Sequence, residues 1–284
     1  MSQTIFNLKS GLPMISGGGQ WRMLAALPSP KLVALPNFGE VHELIPRSDW
    51  KECTLREWGV TIRDQGAHGS CTGQATQSAL AYAWKISGQK FHEFSPTYIY
   101  AQVNGGQDRG AQVSNAVMAA QKGTCLFEQC GQNTIYMNQI SAEAKKTASR
   151  FKVLEVYRVK NFDELGTAMM RGYPVVSGIA VGDNFGNLSS DGVAQLPDRI
   201  AGGHALCHIG MKNVNGKWVI DTQNSWGVRW GLDGFCFLQE GAWNQRYGFG
   251  FDAWAITAVA DDPEETETDP PLLKEESHDS AAEG

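Results

Sequence analysis

Apolar and polar positions follow two different rhythms along this chain, and the change falls near Pro174. From Thr72 to Ser87 the alanines, with Leu80, Tyr82, Trp84 and Ile86, run most of the way round a helical wheel. That pattern predicts a largely buried helix, starting at Cys71 and stopped at Gly88. Ser95-Pro96 supplies an N-cap and a proline at the first helical position, for a helix to about Val103. Gln112 to Lys122 predicts another, closed by Gly123, and Ser141 opens one to about Phe151. Asn161 and Glu164 have capping-box spacing, for a helix to Arg171 with a stop at Gly172. Trp58 to Ile62 predicts a short strand running into a loop at Gln65. Beyond Pro174 the rhythm becomes that of strands: Pro174–Val181, His204–Val214, Lys217–Gln223, Gly234–Gln239 and Ala253–Ala260. Asn215-Gly216 joins the second and third of these by the strongest short hairpin signal. Helices first and an antiparallel sheet afterwards imply an α+β protein with two segregated subdomains. No internal repeat is visible.

The two ends follow neither rhythm. Residues 1–45 read as an N-terminal extension, in which Ser16-Gly17-Gly18-Gly19 is a flexible break and Pro28, Pro30 and Pro36 exclude regular structure nearby. Its apolar residues, Trp21, Leu24, Leu27, Leu32, Val33 and Leu35, suit a strap over the domain surface or a short blocking segment. Residues 46–260 form the compact domain. Residues 261–284 hold ten acidic groups and one lysine, and read as a disordered acidic tail.

That tail explains a misleading charge balance. The whole chain of 284 residues carries a formal net charge of −6, but without the tail the balance is about +3. So small and unclustered an excess argues against nucleic acid as a partner. No run of about 18 apolar residues exists, so no transmembrane helix is expected, and no basic segment followed by an apolar one marks a secretory signal. A cytoplasmic setting is the expectation. The six cysteines, at 53, 71, 125, 130, 207 and 236, make no zinc pattern, and neither a metal nor another cofactor is expected. Reduced thiols fit that setting.

Among these cysteines, Cys71 stands at the start of the buried helix. The unpaired N–H groups there and the helix dipole favour thiolate over thiol, and the thiolate is the nucleophile. Such a nucleophile needs a base, a group to orient the base, and donors for an oxyanion. His204 and Asn224 lie on the two strands joined at Asn215-Gly216, which brings imidazole and amide side by side. His208, four residues on from His204, reads as a packed or surface residue; Cys207 and Cys236 read as core, and Asp221 and Asp233 as turn or strand-end polar groups.

Gln65-Gly66-x-x-Gly69-Ser70-Cys71, Gly203-His204-Ala205, and Asn224-Ser225-Trp226-Gly227 with a second Trp230-Gly231 together resemble the papain family of cysteine peptidases. The resemblance covers roughly residues 46 to 260. It implies a papain-like fold, with a helical subdomain, an antiparallel β-barrel-like subdomain and the active-site cleft between them. It implies a papain-like cysteine endopeptidase acting on peptide or protein substrates, with no membrane partner. Cys71 resembles the nucleophile and His204 the base and then acid, drawn as a thiolate–imidazolium pair. Asn224 resembles the group orienting the imidazole, Gln65 the oxyanion donor beside the Cys71 N–H, and Trp226 the indole shielding the Asn–His contact. Gly69, Ser70, Gly203, Asp108 and Gly110 fall where substrate is bound, Asp108 and Gly110 by a looser match. Two departures stand out. Better-known eukaryotic members have cysteine where His68 stands, so that disulfide cannot form, and 45 residues are too few for the long helical propeptide of most family zymogens. The alternative is a non-catalytic binding or structural protein on the same scaffold, and a further one is ligation or transpeptidation by the same machinery.

Overall fold

The buried helix at Cys71 is the axle on which both halves turn. The structure, a computed structural model, describes residues 4–6, 10–30, 33–244 and 250–262. In chain order the strands are β1 (Ile5–Phe6), β2 (Pro13–Gly17), β3 (Gln20–Met23), β4 (Ala26–Leu27), β5 (Cys53–Thr54) and β6 (Ala111–Gln112). There follow β7 (Val153–Val159), β8 (Val175–Val181), β9 (Gly202–Val214), β10 (Lys217–Gln223), β11 (Phe235–Gln239) and β12 (Asp252–Val259). The helices are α1 (Phe38–Val41), α2 (Cys71–Ile86), α3 (Pro96–Ala101), α4 (Val113–Lys122), α5 (Ala142–Thr147) and α6 (Phe162–Met170).

The capping signals act as expected. Ser95 Oγ accepts from Tyr98 N at 3.0 Å, Ser141 Oγ from Ala144 N at 3.1 Å, and Asn161 Oδ1 from Glu164 N at 2.8 Å. Each satisfies an N–H that the helix itself leaves unpaired. The nucleophile helix α2 is buried from Cys71 to Tyr82 and again at Trp84. It packs on α3 through Gly73, where a Cβ would stand 2.4 Å from the Pro96 carbonyl. On its other side it meets β8, β9 and β12 through a core that includes Leu80, Val176, Ala205 and Trp254. Full burial of a residue such as Leu80 contributes roughly 2 kcal/mol.

The main sheet runs β11-β10-β9-β8-β12-β7, every neighbour antiparallel, with β5 added beside β9. It is an open sheet rather than the expected barrel-like one, since β11 and β7 share no ladder among the described residues. Loops cover the two edges instead, through single bridges of Asn37 to Arg158 and of Val193 to Phe237. A second core, with Phe162, Leu165, Val175, Leu206 and Trp243, packs the opposite face. Burial on both faces explains why all of β8 reads as one apolar run.

Three expectations change. Trp58–Ile62 is no strand: a short 3-10 turn at Arg56–Trp58 leads into extended chain that joins no ladder. The break at Ser16–Gly19 is a β-turn. Gly18 and Gly19, with φ of +60° and +76°, close a two-residue loop between β2 and β3, the type I′ geometry that glycine permits. The chain also stays ordered through Asp262, whose carboxylate accepts from Arg150 at 2.8 Å, so the tail cannot begin at 261. The rest of the acidic tail lies outside the described residues.

Candidate active site

Three segments deliver the candidate chemistry. The Gln65–Ser70 loop leads into α2, β9 carries His204 at its start, and the turn after β10 carries Asn224. β9 and β10 pair in antiparallel register, Gln223 opposite Cys207, which sets Asn224 beside His204. His204 Nε2 lies 2.8 Å from Asn224 Oδ1, and His204 Nδ1 has no hydrogen-bond partner among the described residues. The backbone N–H groups of Ala205, the residue after His204, of Thr72 and of Cys71 itself favour the Cys71 thiolate over the thiol. The imidazole thus spends one nitrogen on the amide and keeps the other without a hydrogen-bond partner among the described residues.

Trp226 stacks on His204 with ring centroids 4.7 Å apart and is 1% exposed. Phe185 closes the far side against both rings. Together they keep water off the His–Asn contact, which strengthens it electrostatically. Gln65, fully buried, donates from Nε2 to the His68 carbonyl at 2.9 Å, while Ser225 Oγ donates to its Oε1 at 2.7 Å. Ser225 was not singled out by the sequence, although it fixes which way that amide points.

The cleft is already occupied. Residues 13–27 of the N-terminal segment lie across it as a hairpin and an extended run. Gln65 Nε2 also donates to the Met23 carbonyl at 3.3 Å. The Ala25 N–H likewise favours the Cys71 thiolate. Ala111 N donates to the Ala25 carbonyl at 3.2 Å, and β4 continues along β6 in parallel. A Cβ on Gly110 would stand 1.9 Å from the Ala25 carbonyl, and one on Gly69 would stand 2.9 Å from the Ala25 Cβ. Cys71 and His204 are consequently both 0% exposed. Gly202, next to Gly203, sits against Leu24 and Pro13.

Arg22 anchors this plug. It is 1% exposed, donates to the Gly17 and Trp226 carbonyls at 3.1 Å each, and pairs two-pronged with Asp64, Nη2 to Oδ2 being 2.8 Å. Gly17 lies flat on Trp226, where a Cβ would be 2.5 Å from the indole. A two-glycine turn between Met14-Ile15 and Trp21-Met23 was the available sequence signal for this hairpin.

Electrostatics in the occluded cleft oppose a thiolate–imidazolium pair. Burial pushes the Cys71 thiol up to about 11, against the four N–H groups that favour its anion. Burial, with the Arg22 charge nearby, pushes His204 down to about 4 despite the help of Asn224. Both groups are therefore neutral while the plug is in place. The physical reason is desolvation in the occupied cleft.

The other candidates sort by their contacts. Ser70 is the residue before α2, and its Oγ accepts from Gln74 rather than capping the helix. Asp108 is spent on protein donors, Gly69 N and Tyr100 OH at 2.8 Å each. It also lines a cavity of about 620 Å³ together with His68, Arg109, Asn133 and Met23. His208 is buried between Ser177 and Thr222, and Asp221 pairs with Arg56. No metal-binding cluster occurs among the described residues.

Residues 45–250 match the family model for papain family cysteine proteases. The chain belongs to the papain family. A viral member of the peptidase C1-like type, the uncharacterized protein L477 of Acanthamoeba polyphaga mimivirus, is 28% identical over 221 residues, 70% of each chain. Xylellain, a cysteine protease from Xylella fastidiosa, superposes with a TM-score of 0.72 at 21% identity, covering 90% of this chain and all of that one. The proform of cathepsin B S9 from Trypanosoma congolense does so with 0.64 at 16%, covering 83% and 87%. These likenesses show the papain-like fold, and the family makes the protein a papain-like cysteine peptidase acting on peptides or proteins.

Proposed function

We propose that this papain-family peptidase is an endopeptidase that cleaves peptide bonds through a thioester on Cys71, and that residues 1–45 hold it latent over a peptidase domain of residues 46–260. With the plug displaced, water returns to Cys71 and His204, Arg22 leaves, and the thiolate–imidazolium pair becomes accessible. The thiolate attacks the scissile carbonyl. The oxyanion accepts from Gln65 Nε2 and the Cys71 N–H, taking the place on Gln65 that the Met23 carbonyl of the plug now holds. His204 gives its proton to the leaving amine, then takes one from the water that hydrolyses the thioester. Asn224 keeps the imidazole in plane, and Trp226 keeps that contact dry. Gly69 and Gly110 form the backbone rail along which the plug, and in its absence a substrate, lies.

The observation that carries this reading is the imidazole of His204, bonded to Asn224 through one nitrogen and unpartnered among the described residues at the other, with the next residue, Ala205, packed in one core with Cys71. Intact mass after exposure to a peptidyl epoxide tests it, beside a Cys71→Ala control. One adduct on the wild type, made faster when the plug is loosened, and none on the control, supports a latent peptidase. No adduct on any form returns the protein to the binding-scaffold reading. Product masses in the presence of an added amine separate hydrolysis from transpeptidation.

A further inference from the structure

The loop that carries the oxyanion donor has a support that neither cysteine nor metal provides. Asp108 lies at the meeting point of three segments. Its Oδ1 accepts from Gly69 N and from Tyr100 OH, both at 2.8 Å, and its Oδ2 lies 3.1 Å from His68 Nδ1. The Tyr100 hydroxyl in turn accepts from Gly110 N at 3.0 Å. On the other side of the ring, His68 Nε2 lies 3.3 Å from Asn133 Oδ1. Two oxygen acceptors therefore face the two ring nitrogens, an arrangement that the imidazolium, with both nitrogens donating, satisfies completely. The backbone carbonyl of the same histidine accepts from Gln65 Nε2 at 2.9 Å. Ring, carbonyl, amide and thiol thus form one connected path: Asp108 holds His68 and Gly69, His68 orients Gln65, and Gly69 leads through Ser70 to Cys71.

We propose that Asp108 and His68 are positioning residues for the peptidase reaction: an ionic staple, charged on both sides, that fixes the Gln65–Ser70 loop against the Asn104–Gly110 loop and so aims the Gln65 amide. This rests on the reading of Gln65 and Cys71 given above. The charged and polar groups and the methionine that share the cavity with His68 include Asp108 and Arg109 from the second loop, Asn133 and Tyr136 from the following segment, and Ser10 and Met23 from the N-terminal segment. Asp108 is the only carboxylate among these.

The pH behaviour follows from the pair. Asp108 raises the His68 pKa above its ordinary 6.5, and the His68, Tyr100 and Gly69 donors lower that of Asp108 against burial. A raised histidine contributes support that is complete below its unfolded pKa and lost as pH rises through the folded one. The lowered carboxylate contributes support lost as pH falls below 3.8. The staple is closed between those limits.

The test uses the full chain and three variants, Asp108→Asn, His68→Lys and His68→Ala. Asp108→Asn keeps the acceptor for Gly69 and Tyr100, removes the charge, and puts an amide donor where an acceptor faced His68 Nδ1. The expected results are a His68 imidazole that titrates above 6.5 by NMR in the wild type and moves down in Asp108→Asn. The Gln65 side-chain amide should exchange slowly in the wild type and quickly in Asp108→Asn. In turnover, read in the Arg22→Ala background that loosens the plug, kcat should fall roughly ten- to a hundredfold in Asp108→Asn and His68→Ala with KM little changed, the effect of misplacing a group by about an ångström. His68→Lys should keep more of kcat than His68→Ala and lose the alkaline limb. An ordinary His68 titration, an unshifted Gln65 amide in Asp108→Asn, or a wild-type kcat and pH profile in that variant would each overturn the proposal. Absence of a Cys71 adduct in every variant sinks the peptidase reading instead, and the two NMR readouts still judge the staple.

Discussion

Replacing Arg22 by alanine is the sharpest way to ask whether the plug is what silences the enzyme. The guanidinium is 1% exposed and makes hydrogen bonds to two carbonyls and a two-pronged contact with Asp64. The Asp64 side chain is 38% exposed, so it is rehydrated when Arg22 is lost and is not a stranded buried charge. The loss is therefore smaller than for a fully buried pair. Hydrogen bonds from a charged donor are worth about 1.5–3 kcal/mol each, and Arg22 recovers hydration in the open form, so the net weakening of the closed state is about 3 kcal/mol. At about 1.4 kcal/mol per tenfold, the open fraction rises roughly a hundredfold. If opening and closing are fast against labelling, the rate of Cys71 modification follows that fraction. The assay is the labelling rate of Cys71 by a peptidyl epoxide, read by intact mass on full-length wild type, Arg22→Ala and Arg22→Lys, with circular dichroism to certify the fold. A folded Arg22→Ala protein that labels at the wild-type rate would refute the assignment of Arg22 as the anchor.

Three further outcomes are expected. Gly17→Ala places a methyl 2.5 Å from the Trp226 indole, which His204 and Phe185 hold still, so the hairpin must lift and labelling should quicken on the order of tenfold. Once the cleft is open, Gln65→Ala should lower kcat by roughly a hundredfold, and Cys71→Ala should leave no turnover in a fluorogenic peptide assay.

The site was legible because its residues carry short, rigid signals. A glycine loop before Cys71, an Asn-Gly hairpin and an Asn-Ser-Trp-Gly turn each fix local geometry, and local geometry was enough to bring Cys71, His204 and Asn224 together. The helices were legible through their caps at Ser95, Ser141 and Asn161. What could not be read was long-range. β7 has exposed Leu154 and Glu155 between buried Val153 and Val156, so its alternation is broken and only β12 reveals it as a strand. Whether the sheet closes depends on how its edges meet, which no segment encodes alone. Gly17, Gly18 and Gly19 looked like freedom because glycine is ambiguous; here two of them make a tight turn and the third makes room for a tryptophan. Asp108 was read as a substrate contact from the place of its loop in the family, and its contact with His68, 40 residues away, could not be read from the sequence.

The plug and the cleft are joined through the stretch between Leu27 and Asn37, and that covalent connection changes what kind of inhibitor the plug is. Closing is a unimolecular event, governed by an effective concentration in the millimolar range for a short tether. A segment with only about micromolar intrinsic affinity would then hold the cleft shut roughly a thousandfold over, at any dilution of the protein. One cut in the tether removes that advantage. The same contacts become a two-body complex, and at nanomolar enzyme almost all of it dissociates. On the proposed reading, latency is a property of connectivity: it would be insensitive to how much enzyme is made, and cutting a single peptide bond would end it.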